Sequence, residues 1–326
     1  MADGSKIEWT DATVNAINGC TVISPGCTNC YAMRLAGTRL RNHPSREGLT
    51  ADSKAGPVWN GEVRLHETAL SLPRRWRKSR MIFWNAHGDM FHPSVPEEWI
   101  DRCFDEMEAT RHHVHQVLTK RPDRMAAYLM TRWALPTTIN AFYDLPETAQ
   151  LFSHHPNIWL GVSVEDQARA EERVPALMRL PAAVKWLSCE PLLSQIDLTR
   201  ICMGEAGIDY AAGFDGPRKM RFNIDALAGV HSFGWRGLDW VVAGGESGRG
   251  ARPMSLTAVR SLRDQCAEAG VPFLFKQWGA HVPCGQMLAD GRVWTNGSNS
   301  TLLTTKKAAG RYLDGRLHDD MPRIAA

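Results

Sequence analysis

Residues 81–118 read MIFWNAHGDMFHPSVPEEWIDRCFDEMEATRHHVHQVL, which is an apolar run, an amphipathic stretch and a second apolar run. The runs at Met81–Asn85 and Val114–Leu118 have the length and apolar content of buried strands. Between them, the apolar residues of Pro96–Thr110 have the spacing of a helix that packs on a sheet. A strand, a helix and a second strand in this order predict a βαβ unit with parallel strands.

The same rhythm continues along the chain. Further strands are predicted at Ile158–Val164, Val184–Ser188, Trp240–Ala243 and Phe273–Lys276, and further helices at Gln167–Leu180 and Ser255–Ala269. A seventh strand before Cys20 could lie at Lys6–Trp9 or at Thr13–Ile17. We therefore predict an α/β fold, a partial TIM-type barrel of six or seven parallel strands with their helices.

Composition and length indicate how the chain is organised. Its 326 residues are 44% hydrophobic and 22% charged, enough apolar material for a full core, so disorder is excluded. We expect residues 1–280 to form one α/β barrel domain with two insertions, at 39–73 and 202–237, where Gly-rich sequence breaks the rhythm. Residues 281–326 show little apolar periodicity and are expected to form a loosely structured extension.

Charge and hydropathy limit the partners. The net charge of +3 permits a nucleic-acid partner without requiring one. No apolar run approaches the length of a membrane span, and the polar start lacks the apolar stretch of a signal peptide. We expect a cytoplasmic protein without a membrane partner, in which the eight cysteines stay reduced. The sequence does not indicate an oligomeric state.

Three cysteines lie close together near the start of the chain. Cys20, Cys27 and Cys30 form a C-x6-C-x2-C pattern in a segment with Gly and Pro between them, residues 19–31, which we call the cysteine loop. Three soft thiolates on a bent loop suit an iron–sulfur cluster or zinc, and three ordinary cysteines are the remaining alternative. A structural zinc site needs a fourth ligand, which could be His43 or a residue distant in the sequence. A [4Fe–4S] cluster bound by three cysteines keeps one iron open to a small molecule.

Polar residues follow the predicted strands. Because ligands of parallel α/β sheets bind at the carboxyl ends of the strands, these residues are candidates for one charged site. The alternative for each of them is a helix cap or an internal ion pair. As catalytic candidates we take Lys120, Glu165, Glu190 and Lys276. As cofactor-binding candidates we take Asn85, Asp89, Ser163, Gly244, Gly245, Glu246 and Ser247.

A cysteine loop followed by βα units resembles the radical S-adenosylmethionine enzymes, although their usual pattern is C-x3-C-x2-C. The resemblance implies a [4Fe–4S] cluster on Cys20, Cys27 and Cys30 whose open iron chelates S-adenosylmethionine, and an electron donor. It also implies formation of a 5′-deoxyadenosyl radical. The segment Gly244–Glu246 is similar to the one that holds the methionine amino group in that family.

Strand order suggests a second assignment within the same resemblance. In that family the Gly-Gly-Glu segment follows an early strand, whereas here it follows a late one. If strand order is respected, Asn85 and Asp89 take the amino group and Ser163 takes the carboxylate. Both assignments remain open at this point.

The chain as a whole also resembles an uncharacterised group of phage and bacterial proteins. The shared segments are Ile7–Asp11, Gly19–Ala32, Val117–Pro122, Trp159–Glu165, Cys189–Leu193, Gly244–Gly248 and Phe275–Gly279. This second resemblance implies a fold and a metal more than a reaction.

A basic segment precedes the first strand of the βαβ unit. Its cations and its indole suit phosphate contacts and base stacking, and the alternative is a solvated helix end. The nucleic-acid-binding candidates are Arg74, Arg75, Trp76, Arg77, Lys78 and Arg121.

Three functional hypotheses follow from these patterns. The first is a radical S-adenosylmethionine-like enzyme that modifies or repairs nucleic acid or a nucleotide. The second is a metal-stabilised phage accessory protein, with zinc or an iron–sulfur cluster, that binds nucleic acid without turnover. The third is an iron–sulfur protein that senses or repairs nucleic acid without S-adenosylmethionine. Metal identity and stoichiometry distinguish a zinc protein from an iron–sulfur protein.

Overall fold

A computed structural model of the chain describes residues 4–138, 151–208, 218–230, 235–297 and 300–323, with side chains described outside 205–221. The strands are β1 (Ala12–Val14), β2 (Ile17–Asn18), β3 (Thr50–Ser53), β4 (Gly56–Trp59), β5 (Arg64–Leu65), β6 (Met81–Trp84), β7 (Val114–Thr119), β8 (Ile158–Ser163), β9 (Val184–Cys189), β10 (Ile201–Ile208), β11 (Arg218–Ile224), β12 (Gly229–Val230), β13 (Trp235–Arg236), β14 (Trp240–Gly244), β15 (Phe273–Gln277), β16 (His281–Pro283) and β17 (Thr301–Leu303). The helices are α1 (Tyr31–Gly37), α2 (Glu67–Leu70), α3 (Glu97–Ala109), α4 (Pro122–Arg132), α5 (Gln167–Met178), α6 (Leu256–Ala269) and α7 (Lys306–Ala309).

Seven parallel strands form the main sheet in the order β1-β6-β7-β8-β9-β14-β15 and curl into a half-barrel flanked by helices. This architecture confirms the predicted partial barrel. The six strands predicted with fixed bounds are all present, within one residue at each end. The seventh, β1, overlaps the Thr13–Ile17 alternative and pairs with β6, whereas Lys6–Trp9 is not a strand.

The outer face of the sheet packs against the predicted helices α3, α5 and α6. Alternate strand residues such as Ile82 and Leu160 are fully buried there with helix residues such as Phe104 and Leu177. The helices begin where local chemistry favours it: the Asp166 side chain accepts a bond from the backbone of Arg169 at the start of α5. The helix α4, which the sequence analysis did not predict, begins at a proline directly after β7.

The concave face of the half-barrel is filled by aromatic side chains in its lower half. Trp9, Trp159, Trp186 and Trp240 pack together there, and the ring centroids of Trp186 and Trp240 are 5.4 Å apart. Gly161 makes room for this packing, because a Cβ at that position would lie 2.5 Å from the indole nitrogen of Trp186. The apolar filling occupies the lower half of this face, below the carboxyl ends of the strands.

The segment after Gly279, which we expected to be a loosely structured extension, contains buried residues and contacts the main sheet. Ala309 and Leu313 are fully buried, and the backbone of Phe275 donates a 2.9 Å hydrogen bond to the carbonyl of His318. The chain returns along the free edge of β15 and covers backbone groups that would otherwise be unpaired. The buried residues here are single and not periodic, so the apolar pattern of the sequence does not reveal them.

The two predicted insertions carry small elements of their own. The first holds β3, β4, β5 and α2. The second includes the antiparallel pair β10 and β11, and its residues 209–217 and 231–234 lie outside the described residues. In the described part of the chain, no helix combines the length and the apolar character needed to cross a membrane.

Candidate functional site at the carboxyl ends of the strands

The cysteine loop crosses the carboxyl ends of the strands, between β2 and α1. On one side it is held by the loops after β6 and β7. The backbone of Gly19 donates a 3.2 Å bond to the carbonyl of His87, and Arg121 donates a 2.7 Å bond to the hydroxyl of Thr21. Gly88 permits this approach, because a Cβ there would lie 2.6 Å from the carbonyl oxygen of Ile17.

On the opposite side the loop after β14 holds the cysteine loop. Glu246 accepts a 2.9 Å bond from the amide of Asn29 and pairs with the guanidinium of Arg252 at 2.6 Å. Arg252 in turn donates a 2.9 Å bond to the carbonyl of Pro25. Burial alone would raise the pKa of Glu246, but the bonds from Arg252 and Asn29 hold it below its ordinary value. The charged carboxylate therefore fastens the loop to the far side of the half-barrel.

The middle of the cysteine loop contacts the residue Glu165, which lies beneath it. The hydroxyl of Ser24 donates a 2.9 Å bond to Oε1 of Glu165, which lies two positions after the end of β8. Gly26 lies directly above, since a Cβ there would be 2.5 Å from the same oxygen. The loop is thus fixed at three places, and its path depends on the segments that follow β6, β7, β8 and β14.

Two lysine–glutamate pairs form the floor under the loop, which we call the polar floor. Lys120 and Glu165 form one pair, and Lys276 and Glu190 form the other at 2.9 Å between Nζ and Oε1. The side chain of Glu165 is fully buried, whereas those of Lys120 and Lys276 are 20% and 17% exposed. All four catalytic candidates from the sequence therefore meet in one place, at the upper end of the concave face.

Glu165 is charged in spite of its burial. Burial raises its pKa, but Lys120 and Arg173, with the hydrogen bond from Ser24, bring the pKa below its ordinary value. Arg173 lies on α5, is itself fully buried, and donates a 3.1 Å bond to Oε2 of Glu165. The sequence analysis missed Arg173, and the signal was available as a cation among apolar neighbours on the inner face of a helix.

The three thiols of the cysteine loop share one neighbourhood and are free of disulfides. Cys20 and Cys30 pack against the same apolar cluster, which includes Met33 and Trp59. Cys27 is close enough for its charge to raise the pKa of Cys30. Burial raises the pKa of Cys20 to about 12, with a further increase from Asp89 and an opposing effect of Arg121. Burial likewise raises the pKa of Cys30. Without a bound cation these two thiols are protonated at neutral pH.

The described residues contain no group of three or more His, Cys, Asp or Glu side chains placed to hold a single metal ion. Sulfur ligands of one zinc ion each lie about 2.3 Å from it, so they crowd together around one point. In a [4Fe–4S] cluster each cysteine binds a different iron, so the sulfurs stand farther apart. Three free thiols on one loop are soft donors of the kind that an iron–sulfur cluster or zinc takes.

Some of the cofactor-binding candidates already form hydrogen bonds or ion pairs within the protein, and others have a polar atom without a partner. Asp89 accepts bonds from Thr119 at 2.7 Å and from Arg121 at 2.8 Å, so its carboxylate is engaged within the protein. Glu246 is engaged by Arg252 and Asn29, as described above. Asn85 has a left-handed backbone with φ of 56°, and its Oδ1 accepts a bond from the backbone of Ile17. Its buried Nδ2 has no partner among the described residues.

The remaining cofactor candidates lie along the same rim. Ser163 is the last residue of β8 and is buried two residues before Glu165. Gly244 ends β14, and a Cβ there would lie 2.8 Å from Oε1 of Glu190. Gly245 lies against the carbonyl of Trp278, which leaves no space for a side chain, and Ser247 is half-buried. The glycines therefore serve close packing around the polar floor.

The basic segment lies at the other edge of the sheet. Residues 74–78 come before the amino end of β6, whereas the polar floor lies at the carboxyl ends of the strands. Arg74 pairs with Glu106 at 2.6 Å, and Arg75, Arg77 and Lys78 are exposed. Trp76 is half-buried against the core, with Arg80 over its ring. The one nucleic-acid candidate beside the cysteine loop is Arg121, whose side chain bonds Asp89 and Thr21.

Comparison with known proteins gives one result. No curated protein and no solved structure matches the chain. A family model described as "Protein of unknown function (DUF5131)" matches residues 4–322, which is nearly the whole chain. The protein with this half-barrel and its fixed cysteine loop belongs to the DUF5131 family.

Proposed function

We propose that this protein is an iron–sulfur enzyme of the radical S-adenosylmethionine type, with nucleic acid or a nucleotide as its substrate. The observation that carries the proposal is the position of the cysteine loop. It spans the carboxyl ends of the half-barrel strands directly above the polar floor. In parallel α/β folds this is the end at which ligands bind.

Cys20, Cys27 and Cys30 would hold a [4Fe–4S] cluster. When bound and reduced by a low-potential donor, such a cluster supplies one electron for cleavage of the C5′–S bond of S-adenosylmethionine, giving methionine and a deoxyadenosyl group that takes a hydrogen atom from the substrate. Three cysteines leave one iron without a protein ligand, which matches this chemistry. The high pKa values of Cys20 and Cys30 mean that binding of the metal must displace protons.

The chain's own residues contribute placement and exclusion of water. Lys120 and Lys276 present partly exposed ammonium groups beside the carboxylates of Glu165 and Glu190. The ammonium groups of Lys120 and Lys276 can bind the carboxylate of a zwitterionic ligand, and Glu190, whose side chain is 15% exposed, can accept a hydrogen bond from its amino group. Below the floor, Trp186 and its aromatic neighbours fill the half-barrel and exclude water from that side. We assign binding and orientation of ligands to the polar floor.

The proposal is tested by anaerobic purification followed by metal, sulfide and nucleoside analysis. We expect a brown protein with about four irons per chain and 5′-deoxyadenosine after incubation of the reduced protein with S-adenosylmethionine. The variant with Cys20, Cys27 and Cys30 all changed to Ala should lose iron and product. The matched control is Cys284→Ala, a half-buried cysteine of the C-terminal segment, which should keep both.

Two outcomes would overturn the proposal. A colourless protein with one zinc per chain would favour the nucleic-acid-binding protein without turnover. An iron-containing protein that yields no 5′-deoxyadenosine under reducing conditions would favour an iron–sulfur protein that works without S-adenosylmethionine.

A further inference from the structure

A buried guanidinium lies beside the cysteine loop, outside the polar floor. Arg46 is only 6% exposed, and it belongs to the insertion at 39–73. Its NH2 group is 2.7 Å from Nδ1 of His87, and its NH1 group donates bonds to the carbonyl and hydroxyl of Ser45. No carboxylate in the described part of the chain lies within ion-pair distance of it. A buried cation with only neutral partners is costly, so the surroundings of Arg46 favour an incoming negative charge.

The neighbours of Arg46 are histidines. His43 and His66 lie close together, with ring centroids 6.3 Å apart, and His43 shares the hydroxyl of Ser45 with Arg46. Burial and the charge of Arg46 lower the pKa of His87 to about 4, and burial with Arg46 and His43 lowers the pKa of His66. His66 and His87 are therefore neutral at physiological pH, and Arg46 supplies a positive charge beside them.

Arg46 also fixes the tautomer of His87. A guanidinium can only donate hydrogen bonds, so Nδ1 of His87 is the acceptor and Nε2 carries the proton. Across the ranges that the structure describes, Nε2 of His87 has no hydrogen-bond partner, and the ring is half-buried. The result is a fixed N–H donor, backed by a positive charge, that is not used within the protein.

The position of this donor links it to the site. The carbonyl of His87 accepts the bond from Gly19, and the carbonyl of the preceding Ala86 accepts a 2.8 Å bond from the hydroxyl of Tyr31. Tyr31 directly follows Cys30; the residue is 51% exposed, and its ring centroid lies 6.0 Å from that of His87. The donor therefore lies at the side of the cysteine loop, where the exposed ring of Tyr31 offers a surface for an aromatic base.

We propose that Nε2–H of His87, supported by the charge of Arg46, binds a phosphate group of the substrate. The proposal rests on the proposed function for its substrate class, since it assigns the phosphate to a nucleic acid or a nucleotide. A phosphate beside the loop would direct the attached base toward Tyr31 and the polar floor. The same chemistry would serve a phosphodiester of a strand or the terminal phosphate of a nucleotide.

Binding experiments without S-adenosylmethionine test this site. The probes are a ten-nucleotide single-stranded DNA followed by fluorescence anisotropy, and a nucleoside monophosphate and inorganic phosphate followed by calorimetry. In Arg46→Gln and in His87→Phe we expect at least one probe to bind about 3- to 10-fold more weakly. For the oligonucleotide, Arg46→Gln should reduce the slope of log K against log salt by about 0.7, the value of one phosphate contact on a single strand. The probe that responds identifies the source of the phosphate.

The matched control is Arg111→Gln, which removes an exposed arginine shortly before the amino end of β7 and should leave every affinity unchanged. Because Arg46 is buried, Arg46→Lys is included to keep the charge, and thermal melting reports the folding of each variant. Unchanged binding of all three probes in folded His87→Phe would overturn the phosphate site. The iron and 5′-deoxyadenosine assays are independent of this outcome, so the site and the proposed function can fail separately.

Discussion

The hydroxyl of Ser24 donates a 2.9 Å hydrogen bond to Oε1 of Glu165, across 141 positions of sequence. This bond joins the middle of the cysteine loop to the end of the central strand of the sheet, β8. The same carboxylate pairs with Lys120 and with Arg173. Glu165 is therefore the group through which the loop, the floor and a helix of the outer layer are connected.

Replacement of Glu165 by Gln should destabilise the protein strongly. Lys120 and Arg173 would lose their common anion, and removal of one partner from a buried pair typically costs about 3–5 kcal/mol. Urea denaturation at neutral pH measures the free energy of unfolding. A matched control is Glu172→Gln, a more exposed carboxylate on the same helix as Arg173, for which we expect less than about 1 kcal/mol. Equal effects of the two substitutions would contradict the role of Glu165.

The same residue predicts an acid dependence of stability. The pKa of Glu165 is lower in the folded protein than its ordinary value, so the folded state favours the charged form. Its contribution to stability is therefore complete above the unfolded pKa, near 4.5, and is lost as the pH falls through the lower folded pKa. Unfolding free energies from urea titrations between pH 6 and pH 3 should fall in the wild type. In Glu165→Gln the part of this decrease that comes from Glu165 should be absent. If the unfolding free energies of the two proteins decrease in parallel with pH, Glu165 does not contribute to the acid dependence.

Gly26→Ala tests the close approach of the cysteine loop to the floor. An added Cβ would lie 2.5 Å from Oε1 of Glu165, so the loop must move away or the carboxylate must turn. We expect a loss of about 1–3 kcal/mol in stability and a lower iron content after anaerobic purification. Val22→Ala changes an exposed residue of the same loop and should alter neither quantity. A Gly26→Ala protein with full iron and wild-type stability would show that the loop does not need this contact.

Glu246→Gln tests the fastening of the loop on its β14 side. The substitution removes the charge that Arg252 and Asn29 share, and we expect a loss of about 1–3 kcal/mol together with weaker retention of iron. The control is Asp290→Asn, which breaks an exposed pair with Arg292 and should cost less than about 1 kcal/mol. Iron release to a chelator, followed over time, measures retention. If release is equally slow in Glu246→Gln and in the wild type, the fastening role is wrong.

Glu246→Gln also distinguishes two roles for Glu246, which are binding of a ligand's amino group and fastening of the cysteine loop. If Glu246 bound the amino group of a ligand, Glu246→Gln would weaken binding of S-adenosylmethionine and leave iron retention unchanged. Because its carboxylate is engaged by Arg252 and Asn29, we expect the opposite pattern. The resemblance that suggested a cofactor role for this segment compared sequence alone, and the segment's partners come from distant parts of the chain.

The sequence by itself determined the βα rhythm, the parallel half-barrel and the cysteine loop. Apolar periodicity and turn residues are local signals, and they sufficed for six strands and three helices. The convergence of Lys120, Glu165, Glu190 and Lys276 also followed, because the carboxyl ends of parallel strands meet at one edge. The return of the C-terminal segment along β15 did not follow, since its buried residues have no period.

Only the tertiary structure decided which charges are free and which are engaged. Asp89, Glu246 and Arg121 stood in the sequence as candidates for ligands, yet each bonds a residue of another loop. Conversely, Arg46 and His87 carried no signal in the sequence, and folding placed them together. An ion pair or hydrogen bond depends on distances of a few ångströms between residues far apart in the chain, and no local pattern encodes such distances.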